Sequence, residues 1–187
     1  MRIIAGEFRG RRLLAPETDA TRPITDRVKQ SLFDILTPLI PDAKVYDCFA
    51  GTGSMGLECL SRGAAVATFF EADRSAGKRL AKNIATLGVG DRSKVVAGDV
   101  FRWFDAHPGI AKDAAADLIF LDPPYRFLRE RPDPLQRLAR HFAESHLKLG
   151  GTVIFRHDAS DQLDLPPLKC TDARTYGGML LELLQRG

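Results

Sequence analysis

The sequence predicts an α/β fold: a mostly parallel, doubly wound sheet with an antiparallel hairpin at its C-terminal edge. From residue 44 onward, short apolar runs alternate with segments whose apolar residues recur at helical spacing. This alternation is typical of parallel strands joined by helices. The last 18 residues hold two apolar runs around Gly177-Gly178, which predicts a final hairpin.

The first 40 residues predict an N-terminal extension. Residues 2–15 have the pattern of a short β-hairpin, with a break between Gly6 and Gly10. A helix is predicted to begin near Thr25, a favoured N-cap residue, and to end by Pro38. Its apolar residues share one face: Val28, Leu32, Ile35 and Leu36. We therefore expect a basic hairpin-and-helix extension over residues 1–40 and a main domain over residues 41–187, packed as one compact unit.

The elements predicted after residue 40 follow in strict alternation. Strands are predicted at residues 45–49, 66–70, 94–97, 118–121 and 152–155. Helices are predicted at residues 55–62, 76–87, 100–106 and 135–147, the first two closed by Gly63 and Gly88. Residues 118–121 contain no polar side chain, which is typical of a parallel strand covered on both faces.

The positive charge is concentrated at the N-terminus. Residues 1–30 hold seven basic and four acidic side chains, so this segment alone carries the formal net charge of +3. Arginine matches phosphate oxygens, and counterion release favours binding to a polyanion. The candidate residues for such a polyanion contact are Arg9, Arg11, Arg12, Arg22 and Arg27. A solvated surface arm explains the charge taken alone equally well.

The composition favours a globular protein without a membrane span, a secretion signal or a metal site. No run approaches the roughly 18 apolar residues that a membrane helix needs, and no apolar segment with a cleavage site follows Met1. The three cysteines and four histidines show no ligand spacing. We expect a cytoplasmic protein that is a monomer.

A glycine-rich turn follows the strand predicted at residues 45–49. Gly51, Gly53 and Gly56 form the pattern GxGxxG between this strand and the next helix. Glycine permits a tight turn and lets a ligand approach the backbone closely. Glu71 ends the next strand, where a carboxylate can accept hydrogen bonds from both hydroxyls of a ribose. The order predicts a nucleoside site and leaves NAD and S-adenosylmethionine both open.

The second motif, Asp122-Pro123-Pro124-Tyr125, directly follows an apolar strand. We expect it at the carboxyl edge of the sheet, where open α/β sheets bind ligands. The prolines hold the segment extended, Asp122 and the backbone carbonyls offer acceptors, and Tyr125 offers a face for stacking. Two acceptors on the N–H groups of a nucleobase amine relieve the positive charge that develops on methyl transfer. The motif therefore favours S-adenosylmethionine and predicts amine methylation.

Asp99 follows the third predicted strand. At that place a carboxylate can accept a hydrogen bond from the amino group of an adenine. It is also a favoured N-cap residue, and both roles can hold at once.

FAGTG at residues 49–53 together with DPPY at residues 122–125 resembles the class I amino-methyltransferases, which share a seven-stranded Rossmann-like fold. The N-terminal half is similar to the bacterial RsmD family through residues 9–13 (RGRRL), 21–28 (TRPITDRV) and 31–36 (SLFDIL). That family methylates N2 of a guanine in small-subunit (16S) ribosomal RNA. The likeness extends from about residue 2 to residue 125, and it is weak beyond Tyr125.

This resemblance implies roles for individual residues. The expected cofactor-binding residues are Asp47, Phe49, Gly51, Gly53, Gly56, Glu71, Asp99 and Val100. Asp47, Phe49, Gly51 and Gly53 would contact the methionine part of the cofactor. Glu71 would bind the ribose, and Asp99 with the Val100 backbone would bind the adenine. Asp122, Pro123, Pro124 and Tyr125 would hold the guanine. Arg22, Asp26 and Arg27 would lie near the cofactor, in roles that spacing does not separate. The expected partner is 16S ribosomal RNA within the 30S subunit or an assembly intermediate.

Other functions fit parts of the pattern. A DPPY segment serves any planar amine, so adenine N6 in DNA or RNA and a glutamine amide in a protein remain alternatives. A DNA enzyme usually carries a recognition domain, and a glutamine enzyme usually reads NPPY where Asp122 stands here. An NAD-dependent oxidoreductase would need a His or Lys at a strand end, and a non-catalytic RNA-binding module would not need both intact motifs.

Overall fold

The described residues, 1–16 and 24–187 in a computed structural model, form a seven-stranded sheet with helices on both faces. The strands are β1 (Lys44–Cys48), β2 (Val66–Glu71), β3 (Ser93–Ala97), β4 (Ala116–Leu121), β5 (Leu147–Asp158), β6 (Leu168–Tyr176) and β7 (Met179–Arg186). Their order across the sheet is β3-β2-β1-β4-β5-β7-β6. Strands β1 to β5 are parallel, and β7 pairs antiparallel with β5 and β6. The predicted fold class is confirmed.

The helices are α1 (Asp26–Leu36), α2 (Ser54–Ser61), α3 (Arg74–Leu87), α4 (Val100–Ala106), α5 (Phe127–Glu130) and α6 (Pro132–His141). Short 3-10 turns lie at Thr37–Leu39, Gly90–Arg92 and Lys112–Ala114. Thr25 caps α1 as predicted, because its hydroxyl accepts from the amide of Val28 at 3.3 Å. Gly88 ends α3 in the left-handed conformation, also as predicted.

Most predicted boundaries shift by one or two residues, and three differences affect the path of the chain. Phe49 is not in β1: its φ of +65° starts the turn one residue early. The predicted helix 135–147 is α6 followed by a π-helical turn at Phe142–His146, so that Leu147 already belongs to β5. Strand β5 is also much longer than residues 152–155, because a bulge accommodates Gly150-Gly151: pairing with β4 shifts between Ala116 and Leu118. Helix α5 was not predicted.

Two apolar layers cover the sheet. On one face α1, α2, α3 and the N-terminal hairpin bury a common cluster that includes Ile3, Leu13, Leu32, Leu57 and Leu80. On the other face α4, α6 and the π-helical turn bury a second cluster around Phe104, Leu138 and Phe142. The N-terminal segment therefore packs on the same core as the strands.

A buried ion network fixes that segment to α2. Glu58, fully buried, accepts from the amides of Ile4 at 2.8 Å and Ala5 at 3.0 Å. It also pairs with Lys29 at 2.9 Å and with Arg62 at 2.9 Å. Burial alone would raise the pKa of Glu58, but Lys29 and the hydrogen bonds outweigh burial and lower it. The predicted hairpin is present as a bridge between Arg2 and Arg12.

The order of the strands reverses between β1 and β4, which are neighbours in the sheet but not in the chain. Ligands of open α/β sheets bind outside the carboxyl ends of the strands at such a point. The two predicted motifs follow these two strands directly, at residues 49–56 and 122–125.

Candidate active site

A cavity of about 520 Å³ opens at the carboxyl ends of β1, β2 and β4. Its wall is formed by residues from both motifs, from α3, from β5 and from the N-terminal segment: Met1, Pro16, Ile24, Asp47, Phe49, Ala50, Gly51, Thr52, Ser54, Met55, Glu71, Asp73, Ser75, Ala76, Arg79, Asp122, Pro124, Arg126 and Arg156. The volume lies within the roughly 300–1,000 Å³ of ordinary small-molecule sites.

The glycine loop, residues 49–53, is tied to the end of β2. The amide of Gly51 donates to Glu71 Oε2 at 2.6 Å, and the amide of Asp73 donates to Glu71 Oε1 at 2.7 Å. Gly51 has a φ of +57°, and a Cβ placed there would meet no atom within 4 Å. The loop backbone at this glycine is therefore open to a ligand, and Glu71 lines the same cavity.

The other two glycines of the motif have packing roles. A Cβ on Gly53 would lie 2.4 Å from Leu80, and the residue has a φ of +85°. A Cβ on Gly56 would lie 2.4 Å from the ring of Phe69. Because both sites lack room for a Cβ, these glycines let α2 pack closely on β2 and α3. Neither glycine lines the cavity. That they contact a cofactor stays a prediction.

Asp47 lies beneath the glycine loop and is 2 % exposed. Its Oδ2 accepts from the amide of Gly56 at 2.9 Å. Burial raises the pKa of Asp47 to about 8, and the nearby carboxylates of Asp122 and Glu71 act in the same direction. A cation bound beside Asp47 would favour its ionised form.

Phe49 joins the cavity to an aromatic group on the second face. Its ring centroid lies 5.7 Å from that of Phe101 and 6.0 Å from that of Phe127, both edge-on. The guanidinium of Arg131 lies over the rings of Phe101 at 4.4 Å and Phe127 at 5.1 Å. Packing of the Phe49 ring thus stabilises the positive φ of this residue. Phe49 also lines the cavity.

Asp122 is held by an arginine that the sequence did not reveal as functional. Arg156 of β5 is 7 % exposed and donates from Nε to Asp122 Oδ1 at 2.7 Å. Its Nη2 lies 2.5 Å from Asp122 Oδ2, which makes the pair bidentate. Burial alone would lower the pKa of Arg156, but the charge of Asp122 outweighs it and raises that pKa. The one available signal was a charged residue inside an apolar strand.

The rest of the acceptor loop, residues 122–125, leads into α5. The carbonyl of Pro124 accepts from the amide of Phe127 at 2.7 Å, and that of Tyr125 accepts from the amide of Leu128 at 3.2 Å. The carbonyl of Pro123 is not used in this turn. Asp122 and Pro124 line the cavity, whereas Pro123 is buried and Tyr125 is half-buried with an enclosed hydroxyl.

Asp99 acts as the N-cap of α4. Its Oδ1 accepts from the amides of Phe101 at 2.8 Å and Arg102 at 3.4 Å. Asp99 and the buried Val100 lie outside the cavity wall. The capping role is confirmed, and contact with an adenine stays a prediction for both residues.

The basic candidates of the extension are on the surface. Arg9, Arg11, Arg12 and Arg27 are exposed. Within residues 1–16 and 24–187, no acidic side chain lies within 4.0 Å of their guanidinium groups. Asp26 pairs with Arg2 at 2.7 Å. Arg22, with Thr21 and Pro23 beside it, lies outside the described residues.

The described part of the chain contains neither a membrane-spanning helix nor a cluster of metal ligands. No helix there is long and apolar enough to cross a bilayer. No group of three or more His, Cys, Asp or Glu side chains there is arranged to hold a metal ion.

The chain is similar to a protein family, to several named proteins and to solved structures. A family model described as conserved hypothetical protein 95 matches residues 1–185. Ribosomal RNA small subunit methyltransferase D of Escherichia coli K12 is 44% identical over 126 residues, or 67% of this chain and 61% of that protein. The match thus spans about three fifths of the relative's length. YlbH of Bacillus subtilis 168, described as a candidate rRNA methyltransferase, is 33% identical over 95% of this chain and 94% of its own. The solved structure of Escherichia coli yhhF, a candidate methyltransferase, has a TM-score of 0.83 at 33% identity and covers 100% of this chain and 97% of that one.

Proposed function

The chain belongs to the conserved hypothetical protein 95 family, which includes the small-subunit ribosomal RNA methyltransferase D proteins, and on that premise we propose that it methylates ribosomal RNA. In full, the proposal is transfer of a methyl group from S-adenosylmethionine to the exocyclic N2 of a guanine in 16S RNA. The observation that carries it is one cavity that joins the glycine loop and Glu71 to Asp122.

The cavity fits the cofactor by the chemistry of its wall. Glu71 keeps free lone pairs for ribose hydroxyls, because a carboxylate offers about four acceptor sites and its two backbone contacts use two. The open backbone at Gly51 admits a close ligand, and Asp47 beneath it suits an ammonium group. When bound, S-adenosylmethionine supplies a methyl group carried on a positively charged sulfur.

The acceptor side of the cavity suits an amine. Asp122 offers the lone pairs that Arg156 does not use. As the second acceptor we propose the carbonyl of Pro123, which is not used in the turn but belongs to a buried residue outside the cavity wall, so the base would have to reach past Pro124 to meet it. Each accepts one N–H of the amine, so the positive charge that develops on nitrogen lies beside a fixed carboxylate. The nitrogen gains the methyl group as the methyl–sulfur bond breaks, which would leave a neutral thioether, and the nitrogen then releases one proton to solvent.

Arg156 gives this arrangement its rigidity. A bidentate guanidinium fixes the plane of the Asp122 carboxylate and compensates for its partial burial. The acceptor is then in place before the base arrives, and little reorganisation is needed during transfer.

The choice of RNA rests on the relatives and on charge. Several of the relatives are named as methyltransferases of small-subunit ribosomal RNA. Arg9, Arg11, Arg12 and Arg27 are exposed cations without acidic partners among the described residues, as phosphate contacts require. Guanine N2 follows from the family resemblance alone, and a base in the stack would have to be turned out to reach the cavity.

Radiolabelled S-adenosylmethionine tests the proposal with three acceptors: unmodified 30S subunits, free 16S RNA and duplex DNA. The digested product is compared with methylguanosine and methyladenosine standards. We expect N2-methylguanosine in RNA. N6-methyladenine in RNA would keep the chemistry and overturn the base assignment. N6-methyladenine in DNA alone, or label in protein amides alone, would overturn RNA as the substrate.

A further inference from the structure

The outward face of α3 carries a row of cations next to the candidate active site. The helix contains four basic side chains, Arg74, Lys78, Arg79 and Lys82, and no acidic one. Its inward face is fixed by the buried residues Leu80, Asn83, Ile84 and Leu87. Arg74, Lys78 and Lys82 follow at intervals of four residues on the opposite, exposed face. We call these three residues the α3 basic face.

The helix gains no stability from these charges. Like charges four residues apart destabilise a helix, and the face contains two such pairs. Arg74 also lies in the first turn, where the helix dipole favours an anion. Within residues 1–16 and 24–187, no acidic side chain lies within 4.0 Å of the charged groups of the α3 basic face. An anion bound from outside would offset both like-charge repulsions and the unfavourable position of Arg74 at the N-terminus of the helix.

The N-terminal hairpin segment is attached to the helix that carries the α3 basic face. Asn83 of α3 accepts from the amide of Leu14 at 2.8 Å and donates to its carbonyl at 3.3 Å. Arg12 precedes Leu14 by two residues, so its Cα lies within about 7 Å of that of Leu14. Lys82 is next to Asn83. The segment that carries Arg11 and Arg12 is therefore bonded directly to α3, the helix that carries the α3 basic face.

The same helix forms part of the cavity wall. Ser75, Ala76 and Arg79 line the cavity from the first two turns of α3. A chain that follows the α3 basic face thus passes beside the site at which its base would react. From Arg74 to Lys82 the row extends about 12 Å along the helix axis, which is longer than a single small anion and suits a repeating polyanion.

We propose that the α3 basic face, together with Arg11 and Arg12, binds the phosphate backbone of the RNA substrate next to the methylated base. The inference rests on the proposed function and adds a contact surface outside the N-terminal extension. Its contribution is electrostatic, so it sets affinity and salt dependence rather than the choice of base.

The test compares two triple variants of equal charge. The first is Arg74→Ala, Lys78→Ala and Lys82→Ala, which removes the α3 basic face and raises helix propensity at exposed positions. The control is Arg102→Ala, Arg140→Ala and Lys169→Ala, three exposed residues on α4, α6 and β6. Thermal melting confirms that both fold. Binding to unmodified 16S RNA transcript is then measured between 50 and 200 mM salt, together with methyl transfer to 30S subunits.

We expect the first variant to bind RNA at least tenfold more weakly than the control and to lower the slope of log K against log salt by about 2. Equal affinities and salt slopes in the two variants would overturn the α3 proposal. The proposed function would still stand if the wild-type protein transferred methyl groups to 30S subunits. Weaker methyl transfer to 30S subunits with unchanged binding to free RNA would also overturn the α3 proposal and indicate an acidic ribosomal protein as the partner. If the wild type transferred no methyl group to RNA, the proposed function itself would fail.

Discussion

Arg156 donates to both carboxylate oxygens of Asp122, at 2.7 Å from Nε to Oδ1 and 2.5 Å from Nη2 to Oδ2. The pairing of β4 with β5 brings this about: Leu121 lies opposite Phe155, so the next residue of each strand falls at the same level of the sheet edge. The residue that would accept the base amine is therefore fixed by a neighbouring strand and not by its own loop.

Replacing Arg156 tests its positioning role. We expect Arg156→Met to lower kcat for methyl transfer by roughly 10²-fold, because a small displacement of a positioned group has about this effect. The dissociation constant for S-adenosylmethionine should change less than about threefold. Arg156→Lys keeps the charge and loses the fork, so it should recover only part of kcat. Steady-state kinetics and calorimetry give both numbers, and a wild-type kcat in Arg156→Met would exclude the role.

The buried pair of Lys29 and Glu58 should dominate the stability of the N-terminal extension. Lys29→Met removes one partner of a pair with exposures of 1% and 0%, and we expect the free energy of unfolding to fall by about 3–5 kcal/mol. Lys94→Met, at an exposed position of β3, is the control and should change it by less than about 0.5 kcal/mol. Urea denaturation measures both. Equal effects would mean that the network does not hold the extension.

Asp47 predicts a definite dependence of stability on pH. Its pKa is about 8 in the folded protein, against an ordinary value of 3.8. Between these values the folded state keeps a proton that the unfolded state has lost, so this residue lowers stability as the pH rises from about 4 to 8. Asp47→Asn cannot ionise, so it removes this pH-dependent loss of stability. The side-chain oxygen of the asparagine in that variant can still accept a hydrogen bond from the amide of Gly56.

The stability difference between Asp47→Asn and the wild type should therefore grow with pH and become constant above about pH 8. The limiting slope is about 1.4 kcal/mol per pH unit. Urea denaturation from pH 5 to pH 9 measures it. A difference independent of pH over that range would show that Asp47 ionises normally.

The glycines of the first motif should separate into two classes. Gly56→Ala places a Cβ 2.4 Å from the ring of Phe69 and should destabilise the fold by about 1–3 kcal/mol. Gly51→Ala meets no neighbour within 4 Å, but it strains a φ of +57° and extends toward the cavity. We expect Gly51→Ala to weaken the binding of S-adenosylmethionine more than Gly56→Ala does, although Gly51→Ala should melt at a higher temperature than Gly56→Ala. Melting curves and calorimetry measure the two quantities. The reverse order of affinities would place the cofactor elsewhere.

The sequence predicted what depends on local pattern. The strand–turn–helix order around Gly51, the acid at Glu71 and the segment 122–125 were all visible as motifs, and the apolar periodicity gave the parallel sheet and its final hairpin. Arg156 was missed because its meaning depends on register between β4 and β5, which is a long-range property. The network around Glu58 joins residues 4 and 58, and no local pattern shows such a contact.

The most direct test of the account measures transfer of tritium from labelled S-adenosylmethionine to unmodified 30S subunits, by the wild type and by Asp122→Ala in parallel. We predict transfer by the wild type and none above background by the variant, while calorimetry gives both proteins the same cofactor affinity within about threefold. Transfer by Asp122→Ala at the wild-type rate, or loss of its cofactor binding, would contradict the division of the cavity into a cofactor side and an acceptor side.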